Sequence, residues 1–142
     1  MVNSIKKGKA YERKIAKKLS LFFDVPFKRV PMSGGFQKHQ NVNESRFRGD
    51  IFTEDSDWNK RFGYVIECKK RAKKITLQEY LEFLTLRKGI LAKWYRQAMY
   101  EVKGTEKEFW IIFGSNNGKD MLLTPNGGIY LLDQYFKQKR WK

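Results

Sequence analysis

Two acids and a lysine carry the most chemistry in this chain. Tyr64-Val65-Ile66-Glu67-Cys68-Lys69-Lys70 reads as a strand, with aromatic and β-branched residues after Gly63 and a charge run behind it. Side chains alternate along a strand, so Glu67 and Lys69 share one face, and Tyr64, Ile66 and Cys68 take the other, toward a core. Upstream, Gly49-Asp50-Ile51-Phe52 puts a second carboxylate at the start of another apolar run. Two carboxylates and a lysine can hold a hard divalent cation with a water beside it. Mg²⁺ takes oxygen ligands, typically one or two carboxylates plus substrate phosphate and waters. It neutralises the charge that builds on phosphorus-bound oxygens during phosphodiester hydrolysis, and it lowers the pKa of its water. Asp50 and Glu67 suit the ligand role, and the Cys68 backbone carbonyl offers another oxygen. Lys69 would stand beside the attacking water or the developing charge.

The charge balance points to a compatible substrate. Lys and Arg number 30 against 15 Asp and Glu, a net charge of +15, and that field favours a polyanion, with nucleic acid first. A membrane surface fits less well, because the basic residues run through folded-looking segments and do not gather on one amphipathic helix. A single cysteine, Cys68, excludes an internal disulfide and a cysteine zinc cluster. No apolar run approaches the roughly 20 residues of a bilayer span, and no signal peptide is visible, so an intracellular, cytoplasmic protein is expected. Its 142 residues should form one domain, 1–142.

Positioning the acids falls to the surrounding elements. Residues 1–8 read as a basic, flexible lead-in. Tyr11, Ile15, Leu19 and Phe22 recur at helical spacing and predict a helix over about 9–23, with Lys14, Lys17 and Lys18 toward solvent. Glu12 falls at the edge of the buried face. It reads either as a first-turn acid complementing the helix dipole or as a further carboxylate for the metal site. Val25-Pro26 ends the helix, and a short strand covers 27–30. A polar loop with Ser33-Gly34-Gly35 at its base then runs to Arg48, long enough to lie along a phosphate backbone. Its His39, the sole histidine, reads better as a solvated residue or phosphate contact than as a base.

A strand over 50–53, an acidic hairpin tip at 54–57 and the central strand over 62–69 follow. The basic run 70–74 is placed to hold nucleic acid over that strand's end. Candidate phosphate contacts are Arg29, Lys38, Arg46, Arg48, Lys70, Arg71, Lys73 and Lys74. Thr76 and Glu79 form a capping box for a helix with Tyr80, Leu81, Phe83 and Leu84 inward. A further helix spans about 90–102, and Phe109 to Phe113 is an interior strand. Strands at 121–124 and 129–132 make a hairpin through Asn126-Gly127-Gly128, and Asp133 caps a terminal helix reaching Lys139. The order helix, three strands, helices, strands predicts an α/β fold with a central mixed sheet flanked by helices. The first three strands should form a meander that brings Asp50 and Glu67 together.

This order resembles the PD-(D/E)xK nuclease superfamily, whose restriction-endonuclease-like core frames its metal site with a helix, a three-stranded meander and a further helix. The likeness is strongest to archaeal-type Holliday junction resolvases and their phage relatives. It rests on Gly8-Lys9-Ala10-Tyr11-Glu12-Arg13, on Arg29-Val30-Pro31-Met32-Ser33-Gly34-Gly35, on Gly49-Asp50-Ile51 and on Ile66-Glu67-Cys68-Lys69, about the first half of the chain. Gln97, in Trp94-x-x-Gln97, is a looser match on a later helix. The resemblance implies an active-site set of Glu12, Asp50, Glu67 and Lys69, with Ser33 in a catalytic loop near the scissile phosphate. It also implies Mg²⁺, with Mn²⁺ as a substitute, and a homodimer that makes paired symmetric cuts in a four-way DNA junction. Two other readings stand beside it: a superfamily nuclease with another substrate, such as a restriction-like or repair enzyme, and a basic DNA-binding protein without catalysis.

Overall fold

The structure, a computed structural model, describes residues 4–31 and 49–138. Helix α1 (Ser4–Phe23) leads into strand β1 (Phe27–Arg29); then come β2 (Ile51–Thr53), α2 (Ser56–Arg61) and β3 (Tyr64–Arg71). Helices α3 (Leu77–Leu86) and α4 (Ile90–Val102) precede β4 (Glu108–Ser115), β5 (Met121–Leu123), β6 (Ile129–Leu131) and α5 (Leu132–Gln138). The six strands form one sheet in sequence order. All neighbours pair antiparallel except β3 and β4, which run parallel through the whole of both strands. A parallel pair needs a crossover, and α3 with α4 supplies it.

That arrangement is the expected α/β fold with a mixed sheet flanked by helices, and β1 to β3 form the expected meander. Both faces are covered, which explains the unbroken apolar run in β4. On one face Ile66, Trp110 and Ile112 pack under Tyr11, Ile15 and Leu19 of α1 and Phe136 of α5. On the other, Phe109, Ile111 and Phe113 pack under Leu91, Trp94 and Ala98 of α4 and Phe83 of α3. An aromatic group made of Phe23, Trp58 and Phe62 closes the first core at the β1 end.

Several boundaries differ from the sequence expectation, each for a local reason. Helix α1 begins at Ser4, so the basic lead-in continues the helix. It stops where Asp24 takes a left-handed conformation ahead of Pro26. The acidic stretch is no hairpin tip: Asp55 accepts the Trp58 N–H at 3.0 Å and caps α2. Strand β3 extends through Arg71, because the parallel ladder to β4 carries Lys70 and Arg71 opposite Gly114 and Ser115. In α3 the capping box is present, but only Phe83 is buried, and Leu81 and Leu84 stay about half exposed. Lys18 does not face open solvent; it pairs with Asp120 and Asp133. Asp133 lies in the first turn of α5, which starts at Leu132.

Candidate active site

Asp50 is held from both sides before its carboxylate does anything. Its carbonyl accepts from Val30 N–H at 2.8 Å, and its own N–H donates to the Ile66 carbonyl at 2.7 Å. Gly49 makes that approach possible. It sits at φ +78°, and a Cβ there would fall 2.6 Å from the Ile66 oxygen and 2.7 Å from Val65 Cγ1. The β2–β3 ladder is registered by Ile51 opposite Ile66. One step along β3, the Asp50 carboxylate itself takes the Cys68 N–H at 2.7 Å. A strand residue's N–H and C=O leave on the same edge, so the Cys68 carbonyl also faces the Asp50 side.

Glu67 completes a carboxylate pair. It stands half-buried next to Cys68, whose N–H the Asp50 carboxylate accepts, close enough for the two acids to act on each other. Burial pushes the Asp50 carboxyl up, and it stays raised although the Cys68 N–H, Lys69 and Arg29 act the other way. Glu67 is raised further, by burial first and then by the negative charges of Asp50 and Glu101. The Asp50 charge thus makes Glu67 harder to ionise, and a cation between the two acids would ease both.

Lys69 and Glu67 lie on the α4 face. Lys69 Nζ donates to Gln97 Oε1 at 3.3 Å, and Gln97, Glu101, Arg96 and Tyr100 of α4 close a cleft of about 500 Å³ over the two residues. Glu12 approaches from the opposite side of Asp50. Burial raises its carboxyl most, the Asp50 charge raises it further, and the Arg29 guanidinium opposes both with a 2.8 Å bond from Nε to Glu12 Oε1. Glu12 thus faces the acid pair and does not serve as a first-turn dipole partner, since α1 starts two turns earlier.

The structure therefore brings Asp50, Glu67, Lys69 and Gln97 together, with Glu12 close enough for the Asp50 charge to act on it. It distributes the basic candidates unevenly. Arg29 is paired with Glu12 inside the site, and Arg71 is paired with Glu79 at 2.8 Å, so neither stands free for phosphate. Lys70 lies over the Tyr11 ring at 5.2 Å, while Lys73 and Lys74 are exposed. Ser33, Lys38, His39, Arg46 and Arg48 lie outside the described residues. Sequence reasoning missed Glu101 and the Arg29–Glu12 pair. Glu101 follows Gln97 by one helical turn, and that spacing was a usable signal.

Asp50 and Glu67 with the Cys68 carbonyl match what Mg²⁺ asks of a protein, one or two carboxylates with the remainder from water and phosphate. Among the described residues no group of three His, Cys, Asp or Glu side chains is placed to hold a metal ion.

A helix laid on an antiparallel meander, a parallel fourth strand, and acids just ahead of the second strand and on the third fit the PD-(D/E)xK, restriction-endonuclease-like fold. Residues 3–139 match the family described as "Phage putative PDDEXK endonuclease", and the chain belongs to that family. It is a nuclease of that superfamily; a nuclease would bind DNA, and such nucleases generally use divalent metal ions. No curated protein and no solved structure matches it. No helix among the described residues is long and apolar enough to cross a membrane.

Proposed function

We propose that this chain is a Mg²⁺-dependent endonuclease that resolves four-way DNA junctions by paired, symmetric cuts. The observation that carries the reading is the Asp50–Glu67 carboxylate pair beside Lys69. Its context is a chain of net charge +15 whose first half carries resolvase-like motifs.

When bound, Mg²⁺, or Mn²⁺ in its place, neutralises phosphate charge and makes a water more acidic. Asp50, Glu67 and the Cys68 carbonyl would hold that ion. Asp50 is already oriented for this by the Cys68 N–H, and its backbone is fixed by Val30 and Ile66. Lys69, steadied by Gln97, orients the attacking water and offsets the charge that develops on the phosphate. Glu12, held by Arg29 within reach of the Asp50 charge, would be a further carboxylate in support of that site. Ser33, outside the described residues, takes a role at the scissile phosphate by the resolvase-like motif alone. Lys73 and Lys74 bind the flanking backbone.

Paired cuts need two sites, so the working form is a homodimer. The exposed leucines of α3, Leu77, Leu81 and Leu84, spaced four and three residues apart, are apolar surface suited to a second copy. Light scattering on the purified protein, with Leu81→Lys as the comparison, tests that.

Cleavage of a synthetic four-way junction is compared with cleavage of a linear duplex of the same arms, with Mg²⁺, with EDTA and with Asp50→Asn. Paired nicks on the junction alone, lost with EDTA or the variant, are expected. Equal cutting of the duplex would keep the metal site and remove the junction. Glu67→Gln should bind the junction at least as well as wild type and leave it uncut, because a carboxylate close to phosphate weakens binding unless a cation intervenes.

A further inference from the structure

The sheet face that carries Glu67 and Lys69 continues beyond them. Register sets Phe113 of β4 beside Lys69, Met121 of β5 beside Phe113 and Leu131 of β6 beside Met121. Register partners share a face, and strands lie about 4.8 Å apart. The row therefore runs roughly 14 Å from the lysine to the sheet edge. Over its far part is a cavity of about 430 Å³, separate from the cleft above Glu67 and Lys69. That volume suits a small organic ring system, since ligand sites run from about 300 to 1,000 Å³.

Chemistry narrows the occupant. The floor is Phe113, Met121 and Leu131, and Tyr80 and Ile75 form one wall. Met121, Tyr80, Ile75 and Leu131 all keep some exposure, so apolar and aromatic surface opens to solvent there. The opposite wall is the Ser115–Lys119 turn, where Ser115 and Asn117 supply polar edges. Lys74 and Lys119 stand exposed at the rim. Gly118 lets the turn close in: a Cβ there would fall 2.3 Å from Ser115 Oγ and 3.5 Å from Lys74 Cε. A flat ring that wants stacking, with hydrogen-bonding edges and anionic groups on either side, is a nucleotide.

We propose that this cavity takes an unstacked nucleobase of the DNA substrate, roughly one to three nucleotides from the bond cut beside Lys69, with Lys74 and Lys119 on its flanking phosphates. The inference rests on the nuclease reading and deepens it. A paired base in a linear duplex must first be unstacked and unpaired, whereas a branch point or single strand supplies a base at lower cost. The cavity is thereby a device for selecting branched or single-stranded DNA.

The test places 5-iodouracil singly at each position within four nucleotides of the cleavage site of a four-way junction, binds Glu67→Gln protein, irradiates and maps the crosslinked peptide. One position, or two adjacent ones, should crosslink to the peptide holding Tyr80 or Met121. An abasic residue there should weaken binding about 5- to 150-fold, the measured range for losing one base–aromatic stack. Leu131→Trp, a filling change at an exposed edge-strand position, should abolish the crosslink, and Lys74→Ala with Lys119→Ala should weaken it without touching the fold. Crosslinks confined to other peptides, or an abasic residue without effect at every position, would overturn the proposal. Wild-type cutting of the same junction, scored in parallel, reports on the nuclease reading separately. Cutting with no crosslink at the cavity sinks the cavity alone, and a crosslink at the cavity without cutting keeps it and sinks the enzyme.

Discussion

Tyr11→Phe removes one oxygen from a buried anion site, and the structure sets what that should cost. The Tyr11 hydroxyl donates to Asp120 Oδ1 at 2.9 Å; Lys18 Nζ donates to Oδ2 at 2.9 Å, and Lys14 Nζ lies 3.4 Å away. Asp120 and Tyr11 are both buried, so this contact fastens α1 to the strand-end turn before β5. A hydrogen bond to a charged group contributes about 1.5–3 kcal/mol. Phe leaves the carboxylate its ammonium partners, so about 1.5 kcal/mol is expected. Asp120→Ala removes the acceptor and strands the hydroxyl. Its cost should be about 3 kcal/mol, the low end for breaking a buried pair, because Lys18 keeps Asp133. At roughly 3 °C per kcal/mol, Tm should fall by about 5 and 9 °C. The double variant strands nothing and should cost less than the sum. Burial alone would raise the Asp120 carboxyl, but the hydrogen bonds from Lys18 and Tyr11 outweigh it and hold the group below its ordinary 3.8. A depressed acid contributes stability above its unfolded pKa and loses it as pH falls through the folded value. The gap between wild type and Asp120→Ala should therefore narrow below about pH 4. Circular dichroism melts from pH 3 to 7 read all of this. Tyr11→Phe within 0.5 kcal/mol of wild type, or a gap that ignores pH, would refute the reasoning. Cutting should fall in both variants, since Glu12 follows Tyr11 on the same helix.

Other outcomes follow from the same geometry. Asp50 and Glu67 are raised above their unfolded values, so without a cation they favour the fold at low pH and oppose it as pH rises through the folded pKa. Melting with EDTA should thus be higher near pH 5 than near pH 8, and Mg²⁺ should raise Tm more at pH 8. Equal Mg²⁺ shifts at both would count against a carboxylate site. Gly49→Ala must strain a φ of +78° and push a methyl into the Ile66 carbonyl, which should cost at least about 2 kcal/mol by urea titration and abolish cutting through displacement of Asp50. Lys73→Ala and Lys74→Ala should each reduce the slope of log affinity against log salt by about 0.9 on duplex DNA. Arg71→Ala should instead lower Tm and leave that slope nearly unchanged, because its guanidinium is engaged by Glu79.

What the sequence exposed, and what it hid, follows from how local each signal is. The α1 stripe, the Thr76–Glu79 capping box and the shared face of Glu67 and Lys69 are set by spacing within a few residues, and they appear in the structure except at Phe22, which stays 38% exposed while Phe23 enters the core. Pairings across the fold leave no such trace. Arg29 with Glu12, Arg71 with Glu79 and Lys18 with Asp120 join residues of different elements, and composition counts each cation as free. The row from Lys69 to Leu131 likewise exists only once four strands take their register. This changes how +15 should be understood. Part of that charge is neutralised inside the fold, at the acid site and along α1, where its loss would act on stability before it acted on DNA. Among the described residues, exposed Arg96 lines the cleft over Glu67 and Lys69, and exposed Lys73, Lys74 and Lys119 follow the C-terminal ends of β3 and β4, Lys74 and Lys119 at the cavity. A phosphate backbone drawn to them passes Lys69 first and the cavity next, so electrostatic attraction and base capture act in the same direction along one strand of DNA.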